Sequence, residues 1–196
     1  MKISLKKSLL FSGLILIVLF LFNVFWSTGF FRTIENKFEG EIFKQIKLKG
    51  AEDITVSHID SFAIISSTAR KSFPNIEQER GGLYFLDLKN KNFKLIHLTN
   101  NFKKPFAPHG ISIFKKNNYY IIAAINHTLD GEFIEIFKLT GTKLTHQKSL
   151  KHKLIFSPND IVLFDENKFY FTNDHKYRKG LNRLAEDYLG LSLSNV

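Results

Sequence analysis

PHGISIFKKNNYYIIAAINH, residues 108–127, sets the reading of the chain. A polar pair, His109-Gly110, stands directly before an apolar run that opens at Ile111, and eight residues after that isoleucine Tyr119 opens a second run. Working outward, the same arrangement recurs at Glu52-Asp53-Ile54 with Phe62 and at Asn159-Asp160-Ile161 with Phe169; the isoleucines are 57 and 50 residues apart. Short runs rich in Ile, Phe, Tyr and Val, punctuated by Gly, Asn and Asp, are strand patterning. Repeats of this length belong to propeller blades. The first two copies add a third run after a glycine (Leu83 to Leu88, Phe133 to Leu139) and a fourth (Phe93 to Leu98, Leu144 to Ser149), and four strands make one blade. The loops Lys89-Asn90-Lys91-Asn92 and Thr140-Gly141-Thr142 join strands as hairpins do. The third copy has two strands and then the segment to Val196, in which only Leu181 to Leu189, beside Gly190, looks helical. The expectation is an all-β fold, a β-propeller of four-stranded blades that is incomplete, with about two and a half blades where closure takes about four to eight. Such an open stack exposes an apolar face and an unpaired strand edge.

Composition agrees with a packed domain. The 196 residues are 44% hydrophobic and 23% charged, with 21 Phe, and a core can be buried. Cysteine is absent, which removes disulfides, thiolate nucleophiles and Cys-based zinc sites. The net charge is +10, of which Lys2, Lys6 and Lys7 account for three, leaving +7 dispersed in small pairs such as Lys103-Lys104 and Lys115-Lys116. No basic stripe interleaved with aromatics is present, so nucleic acid is not an expected partner. From Ser8 to Phe31 no residue is charged, a span long enough to cross a core of about 30 Å as a helix. Lys2, Lys6 and Lys7 before the span predict a transmembrane anchor with its start in the cytoplasm and the remaining chain extracytoplasmic, periplasmic or extracellular. The alternative is a signal peptide with secretion after cleavage, but Trp26-Ser27-Thr28-Gly29 lacks an Ala-x-Ala-like cut site. The organisation is then a cytoplasmic start and anchor at 1–31, a lead-in at 32–49, and a partial propeller at 50–196 with blades starting near residues 52, 109 and 159.

The chemistry sits at the repeat starts. Neighbouring side chains in a strand point to opposite faces, so Glu52 and Asp53 are not expected to serve one small site, nor are Asn159 and Asp160. Glu52 and Asn159 take the first slot of their blades, Asp53 and Asp160 the second. Innermost strands set around one axis aim each set at its own point. Carboxylates and an amide without thiolate suit a hard cation, and Ca²⁺ tolerates about six to eight oxygens in loose geometry. Two Ca²⁺ sites are expected. Blade two places His109 in the first slot and Gly110 in the second, which puts an imidazole beside the Glu52/Asn159 site and leaves the other site to a main-chain oxygen near Ile111. An imidazole takes a proton from water at neutral pH while a cation polarises an acyl carbonyl, which points to hydrolysis of an ester or lactone. His127, in Ile125-Asn126-His127, is placed to hydrogen-bond His109 and raise its basicity. Asp or Asn before a strand is ordinarily a turn residue; the shared register of three copies is what sets these apart. His58, His97, His146 and His152 are expected to carry no chemistry, and His175 stands between structural hydrogen bonding and a site role. The absence of Gly-x-Ser-x-Gly argues against a serine hydrolase.

Gly50-Ala51-Glu52-Asp53, Pro108-His109-Gly110-Ile111-Ser112, Asn126-His127, Asn159-Asp160-Ile161 and Thr172-Asn173-Asp174-His175 resemble the paraoxonase/arylesterase family in order and approximate spacing. The resemblance covers roughly Gly50 to Val196 and, with the apolar leader, corresponds to the first half of a family member. It implies a six-bladed propeller with two Ca²⁺ ions in its central tunnel, hydrolysing lactones and aryl esters, often in association with a membrane. Carried over by position, Glu52 and Asn159 match ligands of a catalytic calcium. Asp53, Asp160 and the Ile111 carbonyl match those of a structural calcium, and His109 with His127 match a histidine dyad. The family's later blades, which supply the remaining catalytic-calcium ligands, are missing, as is the cysteine pair of the animal enzymes. The resemblance therefore implies a small-molecule ester or lactone as substrate, and missing blades or a partner chain to close the ring. The competing readings are a non-catalytic propeller binding module and a gluconolactonase-like or strictosidine synthase-like relative, the latter disfavoured by the two histidines.

Overall fold

In a computed structural model, residues 5–35, 37–69 and 81–196 are described; Lys2, at the lysine-rich start, lies outside them. The described chain divides into two compact units, one of residues up to 43 together with 179–192, the other of residues 44–178 and 193–196. The first unit holds α1 (Leu5–Ser27) and α2 (Leu181–Leu189). α1 has 23 residues, about 35 Å at 1.5 Å per residue, and buries none of them; it is long and apolar enough to cross a membrane, as a signal anchor or a signal peptide does. α2 ends where the sequence places its end: Gly190 takes the left-handed conformation at φ 61°, its N–H donates to the Glu186 carbonyl, and Arg183 pairs with Asp187 one turn on.

The second unit is built of antiparallel sheets whose strands follow chain order. The first sheet is β1 (Ala51–Ser57), β2 (Phe62–Ser67), β3 (Gly82–Asp87) and β4 (Leu95–His97). The second is β5 (Pro108–Lys116), β6 (Tyr119–Thr128), β7 (Gly131–Thr140) and β8 (Lys143–Leu150), and the third is the pair β9 (Pro158–Asp165) and β10 (Lys168–Asn173). The repeat read from sequence is thus a repeat of sheets, with second strands opening at Phe62, Tyr119 and Lys168. The fourth strand of the first sheet is shorter than the apolar run from Phe93 suggested, because Phe93 sits at φ 47°, which no strand residue adopts.

Strand β6 shows why the middle sheet reads as continuous apolar sequence. Tyr120, Ile122 and Ala124 pack with Phe62, Ile64, Leu83, Phe137 and Leu139 in one core, while Ile121, Ala123 and Ile125 pack with Ile134, Ile136, Ile161 and Leu163 in another. Both faces of the sheet are covered, so the alternation of a half-exposed strand disappears. The outer sheets keep one apolar face open: Ile54 and Val56 on β1, and Val162, Phe164 and Tyr170 on the third sheet, where the Phe164 and Tyr170 rings stack at 5.2 Å, are exposed.

The first strands lie together, with β5 packed against both β1 and β9. Polar bonds tie the sheets. Leu163 N–H donates to Ser112 Oγ at 2.9 Å, and Thr68 Oγ1 donates to the Pro108 carbonyl at 2.8 Å. At the opposite strand ends Asp60 Oδ2 accepts from Lys115 Nζ at 2.7 Å and from Tyr120 OH at 2.5 Å. The Lys115 hydrogen bond, then that of Tyr120, holds the Asp60 carboxyl below its ordinary range, while burial and this same carboxylate push the Tyr120 hydroxyl up.

Candidate active site

Each first strand carries one extra residue at the same place. Ala51 pairs with Ser67 and Ile54 with Ile65; Pro108 pairs with Asn126 and Ile111 with Ala124; Pro158 pairs with Asn173 and Ile161 with Phe171. Three steps on the first strand thus match two on its neighbour. The residues in the bulge are Glu52-Asp53, His109-Gly110 and Asn159-Asp160. A bulge breaks alternation and re-aims side chains, so strict alternation, on which the two-slot reading leaned, does not run through these dipeptides. The backbone nonetheless treats the second slots of β1 and β9 alike. Asp53 N–H donates to Ser66 Oγ and Asp160 N–H to Thr172 Oγ1, both at 3.1 Å, and each aspartate's Oδ1 accepts from the next amide, Ile54 or Ile161, at 2.7 Å.

The residue that pairs with the start of each first strand fastens the loop leading into it. Ser67 Oγ donates to the Lys49 carbonyl at 2.6 Å. The buried Asn126 accepts from Ala107 N–H at 2.9 Å and donates to the Pro105 carbonyl at 3.0 Å. Asn173, equally buried, accepts from the amides of Phe156 and Ser157 and donates to the Leu154 carbonyl at 2.9 Å. Those loops are where otherwise unpaired backbone groups need partners, and the amide side chains supply both donor and acceptor.

The structure brings the first-slot residues of β1 and β5 together with His127. His109 Nε2 stands 3.5 Å from Glu52 Oε2, and its Nδ1 is 3.4 Å from His127 Nε2. Beyond the pair, His127 Nδ1 is 2.5 Å from Glu132 Oε2, and Arg178 donates to Glu132 Oε1 at 2.6 Å. The result is an unbroken polar row, Glu52, His109, His127, Glu132 and Arg178. Glu132 is its most buried side chain, at 7% exposed, against 18–20% for Glu52 and the two histidines.

In the second slot, Asp53 Oδ2 accepts from Ile111 N–H at 2.8 Å, a bond between β1 and β5. On the other side of β5, Gly110 lies against β9: a Cβ there would stand 2.5 Å from the Asn159 carbonyl oxygen, 2.7 Å from Asp160 Cα and 3.1 Å from Asp160 Oδ1. Asp53, the Gly110-Ile111 backbone and Asp160 are therefore contiguous. Among the described residues no cationic side chain pairs with Asp53 or Asp160, and no three His, Cys, Asp or Glu side chains form a metal cage. Asn159 Nδ2 is 3.4 Å from Asp174 Oδ2, and that oxygen is 3.5 Å from His175 Nε2; Ser157 Oγ donates to Asp174 Oδ1 at 2.6 Å. His175 thus joins the Asn159 neighbourhood through Asp174.

His146 and His97 hold structure. His146 Nε2 is 2.8 Å from Glu135 Oε2, which also accepts from Ser149 Oγ at 2.6 Å, while Asn126 Nδ2 donates to Glu135 Oε1 at 3.1 Å. Ser149 and Glu135 use the same imidazole nitrogen, so this is no nucleophilic triad, which takes one nitrogen for each. Burial holds His97 below the ordinary imidazole value, where it stacks on Tyr84 at 4.6 Å. Sequence reading missed Glu132 and Arg178. The turn is Leu129-Asp130, between the paired Thr128 and Gly131, which makes residues 127 and 132 cross-strand neighbours; an Asp-Gly turn read from the sequence would instead pair 129 with 132.

A family model described as Arylesterase matches residues 33–196. Serum paraoxonase/lactonase 3 of Oryctolagus cuniculus is 32% identical over 154 residues and that of Homo sapiens 34% over 154, each match covering 75% of this chain and 44% of the relative. Serum paraoxonase/arylesterase 1 of Mus musculus is 33% identical over 159 residues with the same coverage, 75% and 44%. The chain spans less than half the length of these relatives. The match across the sheet unit, with the polar dipeptides in shared register, means that the chain belongs to the arylesterase family.

Proposed function

We propose that this chain is the N-terminal part of a calcium-dependent arylesterase/lactonase, a six-bladed propeller anchored by α1 with its blades outside the cytoplasm. The observation that carries the reading is the bulge shared by three first strands, which presents Glu52-Asp53, His109-Gly110 and Asn159-Asp160 at one end of adjacent sheets. The donor set fits calcium in two respects. The carboxylates of Asp53 and Asp160 flank a β5 backbone stripped of side chain at Gly110 and lack a cationic partner among the described residues, and charges gathered without compensation favour a bound cation. Asp53, Asp160 and the Ile111 carbonyl would hold the structural ion; Glu52 and Asn159 would hold the catalytic one with ligands from the rest of the propeller. When bound, the catalytic ion supplies Lewis-acid polarisation of the acyl carbonyl.

The chain's own residues do the remaining work. Glu52 stands at 3.5 Å from His109, so the base lies beside one first-slot carboxylate. His109 takes the proton of a water attacking an ester or lactone carbonyl, and His127 shares the positive charge that develops on the pair. Exposed Val162, Phe164 and Tyr170 on the third sheet and Ile54 and Val56 on the first are the faces that further blades, or a partner chain, would cover. The test is hydrolysis of phenyl acetate and a simple lactone by a chain extended through the later blades. Removing calcium with a chelator is expected to lower both rates at least tenfold and its return to restore them; rates indifferent to the chelator overturn the reading.

A further inference from the structure

We propose that Glu132 is a positioning residue that decides which nitrogen of His109 is basic, acting through the tautomer of His127. The inference deepens the hydrolase reading above and rests on it. A carboxylate accepts hydrogen bonds and donates none, and a neutral imidazole has one donor nitrogen and one acceptor. Glu132 Oε2 is 2.5 Å from His127 Nδ1, so Nδ1 carries the proton and Nε2 the lone pair. That lone pair faces His109 Nδ1 at 3.4 Å. The contact is a hydrogen bond only with the proton on His109 Nδ1, which leaves the lone pair of His109 on Nε2. That nitrogen faces Glu52 Oε2 at 3.5 Å. Glu52 pulls the proton the other way, but its 3.5 Å contact is weaker than the 2.5 Å contact at Glu132, which keeps the proton on Nδ1 of each ring.

The opposite tautomer would defeat the site. With the proton on His127 Nε2, His109 Nδ1 would accept, Nε2 would hold the proton, and no base would point toward Glu52. Glu132, at the shorter contact, disfavours this arrangement, and the fold holds Glu132 firmly. It pairs with His127 across β6 and β7, one step from the turn at Leu129 and Asp130, where Gly131 takes φ 127°. Arg178 occupies its second oxygen at 2.6 Å, so the first is left to His127. Fixing a tautomer by what the second ring nitrogen touches is how orienting carboxylates act on imidazoles elsewhere.

The test is ¹⁵N NMR of the histidine rings of this chain in detergent micelles, at about pH 8, where an ordinary imidazole is neutral. His127→Gln and His109→Gln spectra assign the signals. The expected result is a pyrrole-type Nδ1 and a pyridine-type Nε2 for both rings. Glu132→Gln, whose amide can donate as well as accept, is expected to convert His127 to a mixture of tautomers, while the His146 signals, held by Glu135, stay in place as the control for folding. A wild-type His127 protonated on Nε2 overturns the proposal, as do unchanged tautomers in Glu132→Gln; if that variant does not fold, the wild-type spectrum alone decides. The tautomers test Glu132, and turnover of His109→Gln tests the base, so the two readings fail separately.

Discussion

Gly110→Ala is expected to lower the midpoint of thermal unfolding by roughly 5–10 °C, the equivalent of about 2–3 kcal/mol for a unit of this size. The reason is space. Gly110 is not among the residues of positive φ, so its backbone conformation suits any residue. What excludes a side chain is β9: the added Cβ would meet the Asn159 carbonyl oxygen at 2.5 Å and Asp160 Cα at 2.7 Å, both backbone atoms that cannot swing aside. Accommodating the methyl group means parting β5 from β9. Since Asn159 and Asp160 are proposed calcium ligands, the variant is also expected to weaken calcium uptake. Gly141→Asn is the control, because Gly141 takes φ 59° with nothing within 4 Å of an added Cβ, a conformation asparagine tolerates. An alanine at 110 that leaves the unfolding midpoint within about 2 °C would show that the sheets are not in contact there.

His109→Gln in the complete hydrolase is expected to lower kcat for phenyl acetate by roughly 10²–10⁴, the contribution of a positioned general base. Glutamine has nearly the reach of histidine and keeps a polar group between Glu52 and His127, but it takes up no proton. The loss is expected in kcat more than in KM, since the base acts on the water in the transition state and not on the bound ester. Steady-state rates at saturating calcium measure it. A variant within about threefold of wild type would remove His109 from the mechanism while leaving the metal sites to stand.

Much of this was legible because the repeat is written twice over, in polar dipeptides and in the aromatic eight residues after each isoleucine. The chain order of the strands, the ends of α2, the middle sheet and the pairing of His109 with His127 all followed. The bulges were not legible. A period-two pattern reports which faces are apolar, and a dipeptide of polar residues is silent on whether it occupies one pairing step or two. Only the partners, Ser67 with Ile65 or Asn126 with Ala124, reveal the added step. The fastening roles of Ser67, Asn126 and Asn173 were hidden for a related reason: each acts on a loop some 16 to 21 residues away in sequence, a separation that carries no local pattern. Arg178 reaches Glu132 across 46 residues, a separation that leaves no local signal.

Second-slot oxygens from separate sheets are expected to grip one divalent ion, and calcium titration calorimetry of this chain in detergent measures that directly. The expected result is uptake of about one Ca²⁺ per chain, abolished in Asp53→Asn/Asp160→Asn, whose neutral amides keep the size of the side chains but not their charge. No calcium uptake by the wild-type chain, or equal uptake by the double variant, would contradict it.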